Sequence, residues 1–339
     1  MAFLPYLASV LLPLVVIFGN VRGGTDTLLG LIVMFGLYPI LDLTLGSRNG
    51  HTGVPSNAPN WGESILRVHV LLQMTVVATL MWRAFQDGAE WPTFTAAFSS
   101  GCVGGASGII VAHELGHRRP RSLSWWMSQL NLLSVCYNHY TTEHNHNHHL
   151  YVGTDADPAS APAGRGLWTQ IAHSLPRQFI SSWQIQAKKA TGKSLNPMLG
   201  CLLLQGGFIV ALGVILSWWA SIAFLLQSII AIILLEYVNY IRHYGLRRGP
   251  DGKQTAMQSW QTEARWTAWT LFEVSLHPDH HLRTSRPFWE LRAIKNAPTL
   301  PVGYYGLFWV CIFPPLWRRW IDSRIPAEAR GENQPPALM

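Results

Sequence analysis

Long apolar stretches separated by short polar links dominate the hydrophobic pattern of this chain. A helix that crosses a bilayer needs roughly 20 predominantly apolar residues. The first stretch is short, but it lacks the positive start and the small-residue cleavage site of a signal peptide, so we count it as a span. The pattern predicts an all-α, polytopic membrane protein with six transmembrane helices, at about 3–19, 27–46, 65–85, 94–112, 198–218 and 220–240.

Three further segments are marked by their composition. Residues 94–112 are rich in Gly, Ala and Ser, which let helices approach closely in lipid and predict an interior position for this span. Residues 301–321 are apolar but interrupted by Pro314 and Pro315, so they predict a surface or re-entrant element and not a seventh span. The polar, proline-containing tail 326–339 is predicted to be disordered. Residues 1–325 are expected to form a single membrane-embedded domain.

The charged residues are few, and their distribution predicts the orientation of the helices. Only 13% of the chain is charged, against about 25% in an ordinary soluble domain. The link 86–93 contains no Lys or Arg, whereas segments 113–197 and 241–325 are basic. The positive-inside rule places both basic segments in the cytoplasm, and six spans then put both termini there as well. Since the basic residues flank spans instead of forming one stripe, the net charge of +7 does not indicate nucleic-acid binding.

Most of the histidines fall in four short stretches. Helix positions i, i+3 and i+4 share one face, so His113 can point the same way as His117, and His144 the same way as His148. The four stretches are HELGH (His113, His117), NHYTTEHNHNHH (His139, His144, His146, His148, His149), NYIRHYGL (His243) and HPDHH (His277, His280, His281). The predicted topology brings all four to the cytoplasmic side of the membrane, where they can meet at one depth.

The number of histidines indicates which metal they could bind. Without His139 and His146 the four stretches hold nine imidazoles, too many for one zinc ion, which takes about four ligands. They could serve two metal ions, and iron with several imidazoles and an open position suits oxygen chemistry. Copper is less favoured because no Met or Cys stands at ligand spacing beside the clusters. The four cysteines lie far apart without CxxC spacing, and we interpret them as small buried hydrophobes.

HELGH also matches the HExxH motif of zinc proteases, in which two His hold the ion and the Glu is the general base. That alternative leaves seven clustered histidines unexplained, and no convincing second motif supplies a distant Asp ligand. Metal analysis would distinguish the two classes.

Taken together, the motifs resemble the membrane-bound, histidine-rich non-haem di-iron enzymes, and within them the alkane 1-monooxygenase family, which includes the xylene monooxygenase hydroxylases. The matching stretches are HELGHRR (113–119), EHNHNHHLYVGTDADPASA (143–161), NYIRHYGLRR (239–248), SLHPDHHLRTSRPFWELR (275–292) and PTLPVGYYG (298–306). One departure is Arg242, which stands where the family commonly has Glu. His146 also stands where family members often carry another residue.

The resemblance implies a six-helix enzyme of the bacterial inner membrane with two iron ions and no haem, nucleotide or flavin of its own. The metal ligands it implies are His113, His117, His144, His148, His149, His243, His277, His280 and His281. The implied reaction inserts one O₂ oxygen into a terminal C–H bond of an apolar substrate that enters from the bilayer. The electrons would come from NAD(P)H through a separate reductase and a rubredoxin or ferredoxin-type carrier.

Several polar residues near these histidines are candidates to hold the ligands in place. Carboxylates beside a ligand can accept its free ring N–H and fix its tautomer, and an ionisable group inside a span is usually functional. The candidates are His139, Glu114, Glu143, Asp279 and Glu236, whereas Asp155 and Asp157 are interpreted as turn residues. The basic residues Arg118, Arg119, Arg247 and Arg248 could receive an acidic electron carrier. A methylarene hydroxylase and a fatty-acyl desaturase or hydroxylase remain alternatives for the reaction.

Overall fold

A computed structural model describes residues 3–48, 59–190, 195–249 and 251–330. Within these ranges the regular secondary structure is helical, and the only β pairings are two isolated bridges, Ser47 with Ala264 and Gln261 with Thr299. In chain order the main helices are α1 (Leu4–Arg22), α2 (Gly24–Thr44), α3 (Pro59–Asp87), α4 (Trp91–Gly116), α5 (Leu123–Leu133), α6 (140–151), α7 (Leu167–Lys189), α8 (Pro197–Ile215), α9 (Trp218–His243), α10 (Arg265–Thr270), α11 (His277–Leu282), α12 (Tyr304–Cys311) and α13 (Pro314–Ile321). The prediction of an all-α fold is confirmed.

Six of these helices, α1 to α4, α8 and α9, are long and apolar enough to cross a membrane, as predicted. Their ends differ from the predicted bounds, and α4 and α9 continue further because the polar residues at their ends are buried by protein. Thus α4 runs past residue 112 through His113 to Gly116, and α9 runs past residue 240 to His243. The helix α3 begins at Pro59, before the predicted residue 65.

The helix α4 lies inside the bundle, packed along α9 and α3. Its most apolar part is 78% buried, which confirms the predicted interior position. A Cβ added at Gly101 would lie 2.7 Å from the carbonyl oxygen of Gln227 on α9, and one at Gly105 would lie 2.8 Å from Leu234 Cβ. The small residues therefore allow the backbones of α4 and α9 to approach closely.

Segments outside the spans close the bundle at the end that carries His113 and His243. The carboxylate of Asp42 on α2 accepts hydrogen bonds from the Thr267 N–H and hydroxyl and from the Gly306 N–H, at 2.8–3.1 Å. A Cβ on Gly303 would lie 2.2 Å from that carboxylate, so glycine is required at this position. These bonds tie α10 and α12 to the membrane domain.

The segment 301–321 forms two short helices, α12 and α13, and neither is long enough to cross a membrane. Pro314 begins α13 and ends any continuous helix, as its missing N–H predicts. The first residues of the predicted disordered tail pack against the body instead, because the Arg247 N–H donates to the carbonyl of Ala329 at 2.7 Å. Residues 331–339 of the predicted tail lie outside the described residues.

Candidate metal centre

The nine predicted ligand histidines come together from four separate pieces of chain. His113 lies near the end of α4 and His117 directly follows it; α6 carries three more, His243 ends α9, and α11 carries the last three. Their ring nitrogens form two compact groups, each with one nitrogen per residue within 4.8 Å of the others. The five-histidine group is His113, His117, His144, His149 and His280, and the four-histidine group is His148, His243, His277 and His281.

Within each group, Nε2 atoms face one another at short range. The His113 and His280 Nε2 atoms are 2.9 Å apart, as are those of His144 and His149. In the four-histidine group, His277 Nε2 lies 3.1 Å from His243 Nε2 and 3.0 Å from His281 Nε2.

These distances match the geometry of a shared metal ion. Two nitrogens bonded at right angles to one ion at about 2.1 Å lie about 3.0 Å apart. The buried Nε2 of His117 in the five-histidine group has no hydrogen-bond partner among the described residues. A ring nitrogen that is buried and unpaired is costly unless it binds something else, so the donor set fits a metal.

The electrostatic environment keeps most of these rings neutral, which is the form that binds metals. Burial, with a contribution from Arg118, lowers the pKa of His117 to about 4. Burial and neighbouring imidazoles hold the pKa values of His144, His149 and His280 well below the ordinary range.

The distribution of the histidines between the groups depends on local helix geometry, and α6 departs from regular α-helical geometry. Residues 144–148 form a π-helical turn, in which hydrogen bonds join i to i+5. His144 therefore pairs with His149, and His148 points into the other group. The rings of His144 and His148 do lie side by side, with their centres 5.3 Å apart, but their nitrogens belong to different groups. On α11 the i, i+4 pair is His277 with His281, while His280 joins the five-histidine group.

Two acceptors orient rings of the four-histidine group from behind. The carbonyl of Gln258 lies 2.9 Å from His243 Nδ1. Since a carbonyl can only accept, Nδ1 carries the proton and Nε2 of the neutral ring keeps its lone pair facing inwards. The carboxylate of Asp157 lies 3.0 Å from His148 Nδ1. Although burial opposes it, this carboxylate raises the pKa of His148, and the contact holds the pKa of Asp157 below its usual range.

The contact of Asp157 with His148 is not predicted from the sequence, where the pattern indicates only a turn residue. Asp157 does make the turn as well, because its other oxygen accepts the Ala159 N–H at 3.1 Å. Asp157 lies nine residues after His148, whereas most of the candidate carboxylates directly adjoin a ligand in the sequence. The sequence pattern does not indicate a contact across that distance. Asp155 is 98% exposed and forms an ion pair with Arg247.

The predicted carboxylate candidates have other partners in this structure. Glu114 accepts hydrogen bonds from Arg118 and from the Phe288 N–H, each at 3.1 Å. Asp279 accepts the Arg292 N–H at 2.9 Å and pairs with Arg283. Both therefore anchor the chain beside the ligands instead of binding a ring.

The remaining candidates lie on and around α6 and α9. Glu143 accepts a hydrogen bond from Asn147 at 2.9 Å, and burial together with nearby Asp157 raises its pKa to about 8. Glu236 accepts from Gln178 at 2.8 Å. His139 stacks edge-on against Tyr137 and belongs to neither group, and its Nε2 has no partner among the described residues. His146 is exposed.

Arg242 replaces the expected carboxylate with a buried cation beside the centre. Its Nε donates to the Tyr304 hydroxyl at 3.2 Å, and its guanidinium carbon lies 5.5 Å from the centre of that ring. Its charge adds to burial in lowering the pKa of His277. A positive charge here therefore favours the neutral, metal-binding form of the ring.

The four basic residues proposed to bind an electron carrier differ in how far their side chains are already engaged by other groups of the protein. Arg118 pairs with Glu63 and Glu114. Arg248 donates to the carbonyls of Leu150 and Val152, each at 2.7 Å, and so holds the end of α6. Arg119 is exposed.

An apolar pocket lies between α2, α4, α9 and α12, next to the five-histidine group. The space between its lining side chains is about 420 Å³ and includes space that is open to the outside. The lining includes Met34, Ile110, Leu234 and Phe308. Ile110 also lines a smaller pocket together with His113 and His280. Ile110 is therefore the residue that the linings of the two pockets share.

Comparisons with known proteins agree with the motifs and the site. Residues 89–310 match the family model described as fatty acid desaturase. The chain is 32% identical over 320 residues to alkane 1-monooxygenase 1 of Pseudomonas aeruginosa, covering 89% of this chain and 84% of that protein. It is 29% identical to alkane 1-monooxygenase 2 of Alcanivorax borkumensis, covering 88% and 82%. The match to the xylene/toluene monooxygenase hydroxylase component of Pseudomonas putida is 27% and covers 64% and 62%. This chain therefore belongs to the fatty acid desaturase family and, within it, to the membrane-bound alkane 1-monooxygenases.

Proposed function

We propose that this membrane monooxygenase hydroxylates the terminal methyl group of an n-alkane at two iron ions, one held by each histidine group. The observation that carries the proposal is the arrangement of nine imidazoles in two groups beside an apolar pocket. In this reaction one oxygen atom of O₂ enters the C–H bond, and the other leaves as water with two electrons and two protons. The bound iron would supply the activation of O₂.

The residues of the chain would position the substrate and keep the site dry. An alkane offers no polar group to bind, so only shape and apolar contact can orient it. The apolar pocket between α2, α4, α9 and α12 would receive the chain from the bilayer, with Ile110 limiting how far its end advances towards His113. Burial of eight of the nine rings would keep bulk water away from the reacting carbon.

Electrons would arrive from NAD(P)H through a separate reductase and a rubredoxin or ferredoxin-type carrier. The sequence contains no CxxC pair and no dinucleotide-binding fingerprint, which supports separate proteins for these steps. The positive-inside rule supports a metal centre on the cytoplasmic side of the bacterial inner membrane, with both termini there and with segments 113–197 and 241–325 forming the cytoplasmic part of one domain. Exposed Arg119 remains available to an acidic carrier, and raised salt should then slow electron transfer.

The zinc-protease alternative is not retained, because the chain is a monooxygenase by its relatives. Its HExxH residues also have other partners. His113 and His117 share their group with three further histidines, and Glu114 binds Arg118 and a backbone N–H.

The direct test is turnover of the purified enzyme with reductase and rubredoxin on a panel of alkanes, methylarenes and fatty acids, with iron measured on the same sample. We expect 1-alkanols and two irons per chain. Double bonds as the only products, or zinc in place of iron, would overturn the proposal.

Methylarenes are a second candidate substrate class, because one relative is named as a xylene/toluene monooxygenase component. Competition between octane and xylene in one reaction discriminates between the classes. A product mixture dominated by benzylic alcohol would favour the second candidate.

A further inference from the structure

The two histidine groups differ in what stands behind their rings. Within the described residues, Asp157 is the only carboxylate that hydrogen-bonds an imidazole of either group. It lies behind His148, in the group that has one histidine fewer. In the five-histidine group, the comparable side-chain contact comes from a hydroxyl and not from a carboxylate. The Tyr140 hydroxyl lies 3.5 Å from His144 Nδ1, which is long for a hydrogen bond.

The Asp157 carboxylate is itself held rigidly. The Ser160 hydroxyl donates to its Oδ2 at 2.6 Å and accepts the Gly153 N–H at 2.8 Å. Gly153 adopts φ +77°, and a Cβ there would lie 2.5 Å from the Gln258 side chain. The loop that carries Asp157 is thus fixed against the segment whose carbonyl orients His243, so both acceptors of the four-histidine group belong to one packed unit.

A carboxylate behind a metal-binding imidazole fixes the ring and raises its basicity, and removing such a partner typically lowers metal affinity about 10–100-fold. Building on the proposed function, we propose that Asp157 is a positioning residue that gives the four-histidine group its hold on iron. The five-histidine group reaches comparable binding by the number of its ligands, and the four-histidine group by a charged partner behind one of them. The two iron sites are therefore unequal, and loss of Asp157 empties one of them first.

The test compares iron retention in D157N with that in the parent enzyme. Asn keeps the size of the side chain and its turn-making oxygen but removes the charge. After purification in detergent and exposure to a graded series of a ferrous chelator, we expect D157N to lose its first iron at about 10–100-fold lower chelator concentration. The second iron should leave at the parent concentration, and the Mössbauer spectrum of the half-loaded protein should show one signal of the parent's two.

Two control variants separate the charge from the loop. D155N removes the exposed carboxylate two residues away and should retain iron like the parent, since Asp155 reaches only Arg247. S160A removes a partner of Asp157 but leaves the carboxylate on His148, so it should lose much less iron than D157N.

The outcomes distinguish this inference from the function on which it rests. If the parent itself binds fewer than two irons, the proposed di-iron function fails. If the parent binds two and D157N retains both like the parent, or loses both together, the inference alone is overturned. Equal losses in S160A and D157N would show that loop structure, and not the carboxylate, holds the metal.

Discussion

Helices α4 and α8 are both long and apolar enough to cross a membrane, but they have opposite surroundings. The most apolar part of α4 is 78% buried, whereas that of α8 is only 11% buried, although α8 is the more hydrophobic of the two. In lipid, apolar side chains gain little by leaving the bilayer for the protein interior, so hydropathy does not identify the buried helix. Small residues and polar groups do, and α4 carries both together with the proposed ligand His113, with His117 directly after it.

The largest difference is expected for the metal centre itself. H113A on α4 removes one of five nitrogens from a compact group, and its activity loss should exceed the roughly 10–100-fold that a lost outer partner causes. Iron content, measured on the same preparation, should fall by at least one ion per chain.

The matched variant on α8 is C201A. Cys201 carries a free thiol and lies on a lipid-facing helix. The variant should keep the activity and iron of the parent. Full iron in H113A would remove this histidine from the ligand set.

The second difference concerns the space beside the two helices. G101L on α4 would place its Cβ 2.7 Å from the Gln227 carbonyl oxygen, while a Cβ at Gly206 on α8 meets nothing within 4 Å. Overpacking a core costs about 1–3 kcal/mol, and a clash with backbone should reach or exceed the upper end of that range.

Thermal unfolding followed by size-exclusion fluorescence measures the effect. We expect a clear drop in the melting temperature of G101L and no change for G206L. Equal stability of the two variants would mean that α4 does not approach α9 as closely as described.

The third difference tests what the interior helix presents to the substrate. I110A enlarges the space between the apolar pocket and His113, while V210A trims an exposed side chain of α8. Each methylene that a pocket gains or loses changes discrimination by about 1–3 kcal/mol, so I110A should alter the ratio of rates for long and short alkanes by about tenfold or more.

Product ratios from mixed alkanes, determined by gas chromatography, report this change. V210A should leave the ratios unaltered. An unaltered ratio in I110A would place the substrate elsewhere.

The six spans could be predicted from the sequence because they depend on composition, and the convergence of the histidine stretches because the order and direction of the spans bring them to one side. The sequence could not predict the π-helical turn at 144–148, since the hydrogen bonds of that turn depend on packing around α6. Nor could it predict that Asp157, an apparent turn residue, reaches His148, because this contact depends on how the loop folds back. The same limit explains Glu114, which adjoins a ligand in sequence but turns to Arg118.

The smallest difference is expected from a single buried hydroxyl on α4. Ser107 Oγ lies 2.7 Å from Nδ1 of His69 on α3, whose Nε2 lies 2.8 Å from Ser9 Oγ on α1. S107A would leave one ring nitrogen without a partner in the bundle, at a cost of about 1–3 kcal/mol. G207A on α8 adds a methyl group that meets nothing within 4 Å, and since Ala favours a helix more than Gly does, it should not lower stability. Chemical unfolding in detergent would measure both, with iron content as the second readout. S107A should be destabilised with iron retained, because the hydroxyl bonds the His69 ring that joins α4, α3 and α1, and it touches no ligand. Parent-like stability would instead show that a polar contact inside α4 contributes no more than a lipid-facing position on α8.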